Sequence, residues 1–468
     1  MKRLYDPTMF INGLDSIDRE KFVIATFYIE DTPGTEFIDH FDQLQRLIAE
    51  GGTGTWMRIE EESDEVREML SGRLVGYYEI PAEKGTKKAI VQVAYPTAAW
   101  DCNPSIAMML LQPSGNCFIF SKAFRLLDIS FPQSIAKHFP GPKFGIQGVR
   151  DLLDVQERPM CLHIIKPKMG MTPEQTAAQC YKTALGGIDV IKDDEMAADV
   201  FNCSFDARLE AVTKALDKAE QETGKRPLYL ISVTDEVDRL QEKARRAVRN
   251  GARGLLLTYS AGLSALKVLA ADPEINVPIM LHVSHMLALL PSISFVALAK
   301  LARLAGADIL LMPTVWSSYQ VATLEECLRT VSALQQKLGD IKTCWPQPGG
   351  GLHPGVVPLL TQEYGPDIIM SAGGGLVGHP MGPTAGAKAF RQAIDAVMAE
   401  ADLQEWAANH PELQAALDQW GTFERPKSVW GYASAEYSPK KVERVQLIHQ
   451  PRGQEVAAMV GTGPAMNG

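Results

Sequence analysis

With 468 residues, 46% hydrophobic and 22% charged, the chain has the makeup of a soluble globular enzyme, long enough for a barrel-sized domain plus a smaller one; disorder is excluded on composition. A net charge of -10 and a pI near 5.5, with no lysine–arginine stripe to offset them, argue against nucleic acid as a partner and leave small phosphorylated molecules open. The seven cysteines have no C-x-x-C spacing and read as reduced thiols of a cytoplasmic protein; the first ten residues carry no secretory pattern, and no apolar run of about 18 residues is available to span a membrane.

In chain order, residues 1–145 read as a small α+β domain of the ferredoxin-like kind, with strands expected at Lys21–Tyr28, Gly76–Ile80 and Ala89–Tyr95 and a helix at Glu36–Gly51. From about residue 150, β-rich runs alternate with amphipathic stretches. The expected strands are Met160–Lys166, Asp189–Asp194, Leu228–Val233, Gly254–Tyr259, Pro278–Val283, Asp308–Pro313, Thr343–Pro348 and Ile368–Ala372. Between them, Thr172-Pro173-Glu174-Gln175 and Thr323-Leu324-Glu325-Glu326 have the form of capping boxes, and Gly224, Gly251 and Gly339 stand where helices should stop. Eight such units predict an α/β fold with a C-terminal (β/α)8 TIM barrel over 146–468, whose active site lies at the strand C-terminal ends. Helical material is expected from about Ala401 to Trp420, followed by a polar, proline-bearing tail.

The ionisable residues gather at those strand ends. Lys166 and Lys168 follow the first barrel strand, and Lys192-Asp193-Asp194-Glu195 closes the second; strand alternation would put Lys166 with Lys168, and Lys192 with Asp194, on common faces. Asp194 and Glu195 are hard oxygen donors suited to Mg2+, and carbamylation of Lys192 by CO2 would convert its amine into a third anionic ligand; an internal ion pair is the competing reading. Lys166 and Lys168 could serve as acid/base and as a polariser of substrate oxygen if partial burial lowers their pKa, or be ordinary surface lysines. Gly349-Gly350-Gly351 and Gly373-Gly374-Gly375 end strands seven and eight, where barrels bind phosphate through backbone N–H groups; tight turns alone would also use them. Gly373-x-Gly375-x-x-Gly378 fits a dinucleotide fingerprint in letters only, because no second strand with an acidic residue follows it. Of His282 and His285 at most one can face into the barrel, and His353 and His379 read as loop hydrogen-bonding residues.

These motifs resemble those of Rubisco large chains. Thr53-Gly54-Thr55-Trp56, Gly115-Asn116, Ile165-Lys166-Pro167-Lys168-Met169-Gly170, Lys192-Asp193-Asp194-Glu195 and Gly373-Gly374-Gly375-Leu376-Val377-Gly378-His379-Pro380 occur in the family's order from about residue 20 to about residue 400. The resemblance implies a homodimer, or a larger assembly of dimers, with Glu50, Thr55, Trp56 and Asn116 reaching into the partner's barrel. It implies a carbamate on Lys192 holding Mg2+ with Asp194 and Glu195, Lys166 as the enolising acid/base, and Lys168 beside it. Gly350, Gly351, Gly373 and Gly374 would hold one substrate phosphate, and His282 would line the substrate pocket.

Departures from the carboxylating pattern narrow the implied function. His-x-His-Arg after strand five is here His282-Val283-Ser284-His285, Leu311 stands for a histidine and Gly349 for a serine, which removes the donors for a second phosphate. Pro313–Ala322 carries no lysine, the residue the family uses to stabilise carboxylation. What the resemblance implies is a Rubisco-like, non-carboxylating enolase or tautomerase acting on a mono-phosphorylated ketose, diketose or keto-acid. A decarboxylase working through the same enolate, a Schiff-base aldolase using Lys166 or Lys192, and a non-catalytic metabolite sensor are the alternatives.

Overall fold

The computed structural model describes residues 9, 13–31, 40–55, 59–83, 86–99, 103–117, 123–197, 199–316, 321–424 and 438–439. Period-2 alternation buries Val23, Ala25, Phe27 and Ile29 of β1 (Phe22–Asp31). α1 (His40–Glu50) and α2 (Asp64–Leu70) follow, then β2 (Arg73–Ile80), β3 (Lys87–Pro96), α3 (Ile106–Ser114) and β4 (Ala123–Ser130). The sheet order is β2-β3-β1-β4 and every pairing is antiparallel, the ferredoxin-like arrangement. Leu44, Leu47 and Ile48 of α1 and Ile106 and Met109 of α3 belong to its core.

One strand here escapes the sequence reading. β4 hides because its pairing with β1 shifts register between Thr26 and Phe27, a bulge that sets Leu126 and Leu127 side by side and breaks the period-2 signal. The first part of the expected Glu36–Gly51 helix, residues 36–39, lies outside the described residues. β4 also joins the sheet to the rest of the molecule: Leu126 exchanges two 2.8 Å backbone hydrogen bonds with Ser292 and Ser294, and Arg125 and Asp128 pair with Glu326 and Lys300.

After α4 (Gln133–Ala136) and α5 (Gly145–Leu153), eight parallel strands close into a barrel: β5 (Met160–Ile164), β6 (Val190–Lys192), β7 (Leu228–Ser232), β8 (Gly254–Thr258), β9 (Ile279–His282), β10 (Ile309–Pro313), β11 (Trp345–Gly349) and β12 (Ile369–Ala372). α6 (Pro173–Leu185), α7 (Phe205–Thr223), α8 (Val237–Arg249), α9 (Leu263–Ala271), α10 (Phe295–Ala305), α11 (Leu324–Gln335) and α12 (Val357–Tyr364) fall between consecutive strands; α13 (Gly374–Val377), α14 (Pro383–Met398), α15 (Leu403–Ala407) and α16 (Pro411–Trp420) follow the last one. All eight expected strands are present with shifted ends. The Thr172 capping box forms in full. At Thr323 only half of a box forms: its hydroxyl caps the Glu326 N–H, while the Glu326 carboxylate turns to Arg125 and to the N–H of Phe295. The six described cysteines are free and buried, and Cys102 lies outside the described residues. Among the described residues no helix is long and apolar enough to cross a membrane.

Inward-facing Met160, Leu162, Val190, Leu228, Leu230, Leu256, Met280, Ile309, Trp345 and Ile369 fill the barrel, and Ile146 and Val149 of α5 plug its N-terminal end. Asp308 ties that plug down. Its buried carboxylate accepts from the N–H groups of Phe144 (2.6 Å), Gly145 (2.9 Å) and Ile279 (2.8 Å), joining the start of α5 to the barrel wall. Asp308→Ala leaves three buried donors unsatisfied and is expected to destabilise the fold by about 3 kcal/mol or more, read as a lower urea midpoint at unchanged slope.

Candidate active site

The barrel's C-terminal end opens on a cavity of about 520 Å3 lined by Lys166, Lys168, Lys192, Glu195 and His282, by the two triple-glycine turns, and by Leu287, Leu311 and Val321. β5 ends at Ile164, two residues before the expected limit, so strand alternation does not align Lys166 with Lys168. The turn after β5, which includes a cis Lys166–Pro167 bond, brings them together instead. Lys166 Nζ lies 2.5 Å from Asp194 Oδ2, and Lys168 Nζ lies 2.8 Å from Glu195 Oε1 and 3.7 Å from Asp194 Oδ1. The stem of Lys166 runs against Gly373, where a Cβ would stand 3.1 Å from Lys166 Cε, so a side chain there would push on the lysine.

Lys192 and Asp194 are both fully buried. The Lys192 amine donates to the Asp193 carbonyl (2.8 Å) and stands 4.0 Å from Glu195 Oε2. Burial lowers its pKa to about 8, with the nearby carboxylates opposing that drop. Glu195 is held below the ordinary carboxylate range: burial alone would raise it, and the hydrogen bond from Lys168 and the nearby Lys192 more than offset that. His282 accepts the Ser284 N–H on Nδ1 at 3.2 Å, which leaves its proton on Nε2, 3.4 Å from Glu195 Oε2. Burial, with Lys192 nearby, pushes His282 down to about 3, so the ring is neutral. The expected lowering of Lys168 is not found. Its hydrogen bond to Glu195 raises it, because half of the side chain remains in water and the carboxylate favours the ammonium.

The loop carrying Asp194 and Glu195 is fixed from below. Asp193, 1% exposed, accepts from Tyr229 Oη (2.6 Å), from the Ser232 N–H (3.0 Å) and from Arg208 Nε (3.1 Å), and Arg208 in turn donates to the carbonyls of Cys203 and Ala197. The motif's first aspartate therefore holds its second and its glutamate in place.

Among the described residues no group of three or more His, Cys, Asp and Glu is arranged to hold a metal ion. Two carboxylates with waters and substrate oxygens suit a hard divalent cation, and an anionic oxygen in place of the Lys192 ammonium would complete the set. Lys192 can supply that oxygen: an amine with a lowered pKa has a larger neutral, nucleophilic fraction, and reaction with CO2 would make it a carbamate. The donor set therefore fits Mg2+ on condition that Lys192 is modified.

Glu50, Thr55 and Asn116 do not line the cavity of their own chain, and Trp56 lies outside the described residues. Gly350 and Gly351 have positive φ (108° and 75°), and both face the cavity with Gly373 and Gly374. The Leu287, Leu311 and Val321 side holds no lysine or arginine among the described lining residues. His379 donates from Nε2 to the Glu412 carbonyl (2.8 Å) and accepts the Met381 N–H on Nδ1, as a loop residue should, whereas His353 packs against Trp420 and Phe423. Ser371, His163 and Gln179 near the site were missed. The only signal for Gln179 was a polar residue among the inward positions Thr176, Cys180 and Thr183 of α6.

Burial also pushes His163 down to about 3 and His353 to about 4. With folded values below the unfolded value of about 6.5, both stay neutral in the fold and protonate on unfolding, so stability is present above pH ~6.5 and is lost as pH falls toward 4. Each contributes a slope of about 1.4 kcal/mol per pH unit. His353→Phe, which keeps the ring contacts, is expected to flatten the fall in urea-derived stability between pH 6.5 and pH 5; an unchanged slope would contradict this.

A closed parallel barrel behind a ferredoxin-like sheet, with lysines and carboxylates at its mouth, defines the large-chain class of ribulose bisphosphate carboxylase. The descriptions "Ribulose bisphosphate carboxylase large chain, N-terminal domain" and "catalytic domain" match residues 13–135 and 145–420, and the chain belongs to this family. It is 38% identical over 86% of its length to a ribulose bisphosphate carboxylase-like protein of Archaeoglobus fulgidus, 94% of which is covered. It is 37% identical, again over 86%, to 2,3-diketo-5-methylthiopentyl-1-phosphate enolase of Geobacillus thermodenitrificans, 98% of which is covered. Dimeric archaeal Rubisco from Hyperthermus butylicus superposes with a TM-score of 0.78 at 33% identity, covering 88% of this chain and 98% of that one.

Proposed function

We propose that the protein is a non-carboxylating, Rubisco-like enolase that removes a proton next to a carbonyl of a mono-phosphorylated diketose or ketose. The observation that carries this is the cluster of Lys166, Lys168 and Lys192 on Asp194 and Glu195 at one side of a cavity whose opposite side is apolar. One phosphate suits the glycine wall, and nothing cationic among the described lining residues offers to hold a second beside Leu311. The similarity to a 2,3-diketo-5-methylthiopentyl-1-phosphate enolase supports the same substrate class.

In this reading a carbamate on Lys192, with Asp194 and Glu195, would hold Mg2+, and the ion would supply Lewis acidity at the substrate carbonyl. Lys166 moves the proton, and Lys168 holds Glu195 and faces substrate oxygen. His282, neutral with its proton on Nε2, adds a donor. Gly350, Gly351, Gly373 and Gly374 would bind the phosphate through the backbone.

The assembly we propose is a homodimer in which Glu50, Thr55, Trp56 and Asn116 of one chain complete the site of the other. Exposed Met169 (51%), Met196 (56%) and Phe201 (98%) on the loops after β5 and β6 give the barrel mouth an apolar rim that a partner would cover, and the relative from Hyperthermus butylicus is described as dimeric. Division into domains at 1–145 and 146–468 and a cytoplasmic location, which the free buried thiols suit, belong to the same reading. The test is proton NMR in D2O with a 1-phosphorylated 2,3-diketone and a panel of phosphorylated ketoses. Exchange of the α-proton that depends on Mg2+ and bicarbonate is expected; no exchange across the panel would overturn the proposal.

A further inference from the structure

β5 ends at Ile164, and Ile165 makes one last backbone bond to the Lys192 carbonyl (3.1 Å). Lys166 has therefore left the barrel ladder, and its own N–H and C=O need partners from elsewhere. One side chain supplies both. Gln179, on the inward side of α6, accepts the Lys166 N–H on Oε1 at 3.2 Å and donates from Nε2 to the Lys166 carbonyl at 2.7 Å. The amide can face only one way, since its oxygen alone can meet the N–H and its nitrogen alone can meet the carbonyl.

Gln179 is itself braced. His163 Nε2 lies 3.1 Å from Gln179 Oε1, and His163 Nδ1 lies 3.1 Å from the Thr183 hydroxyl. Oε1 can only accept, so the His163 proton sits on Nε2. His163 and Thr183 are fully buried, so water does not compete for these bonds. At the far end of the lysine, Gly373 walls its stem and Asp194 meets its ammonium.

We infer that Gln179, braced by His163, is a positioning residue that fixes Lys166 for proton transfer by clamping its backbone; this rests on the acid/base role proposed for Lys166. A glutamine that merely filled space would need neither polar end. Here both ends are spent on the one residue that carries the reacting amine, in a turn with no strand of its own. Displacing a reacting group by about 1 Å costs up to about 100-fold in rate.

Gln179→Met keeps the volume and removes the clamp. It is expected to lower kcat by about 10- to 100-fold with KM changed less than about 3-fold, and to raise the isotope effect with α-deuterated substrate as proton transfer becomes slower. In a Lys166→Ala background the same change should have no further effect on kcat, because Gln179 acts through Lys166. A readout free of catalysis is the 13C-methyl NMR signal of reductively methylated Lys166, assigned by its loss in Lys166→Arg, which Gln179→Met should shift. An unmoved signal, or a moved signal with kcat intact, overturns the inference. Should the wild-type enzyme exchange no proton, the functional reading fails while the methyl signal still decides the positioning. If Gln179→Met does not fold, Gln179→Glu, which keeps the acceptor and removes the donor to the Lys166 carbonyl, is read in the same way.

Discussion

Lys166→Ala is expected to reduce kcat by about 1,000-fold, within the range of 100- to 10,000-fold typical of a lost general acid/base, while KM changes less than about 3-fold. The loss should be chemical rather than structural. Lys168 remains 3.7 Å from Asp194 Oδ1, so the buried carboxylate keeps a cation nearby when the closer ammonium is removed. The melting temperature should accordingly move by only a few degrees. Single-turnover kinetics with α-deuterated substrate checks the assignment, because a variant that retained wild-type exchange would move the proton to another residue.

The second large effect is expected at Lys192, and there activity and stability should part company. The amine is fully buried with one carbonyl acceptor at 2.8 Å, and burial already disfavours its charge. Lys168 keeps its 2.8 Å bond to Glu195 when Lys192 is removed, so the carboxylate is not left without a cation and Lys192→Met should melt within a few degrees of the wild type. Its activity should fall by roughly 10,000-fold or more, since the lost donor takes with it several kcal/mol of charge stabilisation at the substrate oxygen. Calorimetry and the D2O exchange assay together test the split. An active Lys192→Met protein would contradict the role given to this residue.

Much of the fold was legible because periodicity is a local signal: eight β-rich runs alternating with capped helices pointed to the barrel, and the strand ends located its mouth. β4 was not legible, since a bulge across from Thr26 and Phe27 scrambled its alternation. The cluster of charges was legible as a cluster, but its cause was not. Strand alternation was expected to align Lys166 with Lys168, whereas a turn beyond Ile164 does so, and a turn's path depends on partners remote in sequence such as Gln179. Likewise the pull of Glu195 on Lys168 reverses the expected direction of its shift, because only the folded chain brings residues 168 and 195 within 2.8 Å. The sequence reading gives Asp193 no role of its own, because its tie to Arg208 and Tyr229 needs α7 and β7 in place.

The whole account turns on Lys192 becoming an oxygen donor that seats Mg2+ with Asp194 and Glu195. 13C NMR of the protein equilibrated with 13C-labelled bicarbonate and Mg2+ tests this most directly. One carbamate carbon per chain is expected, strengthened by Mg2+ and absent from Lys192→Met; a wild-type spectrum with no such signal, from protein that still exchanges the substrate proton, would contradict it.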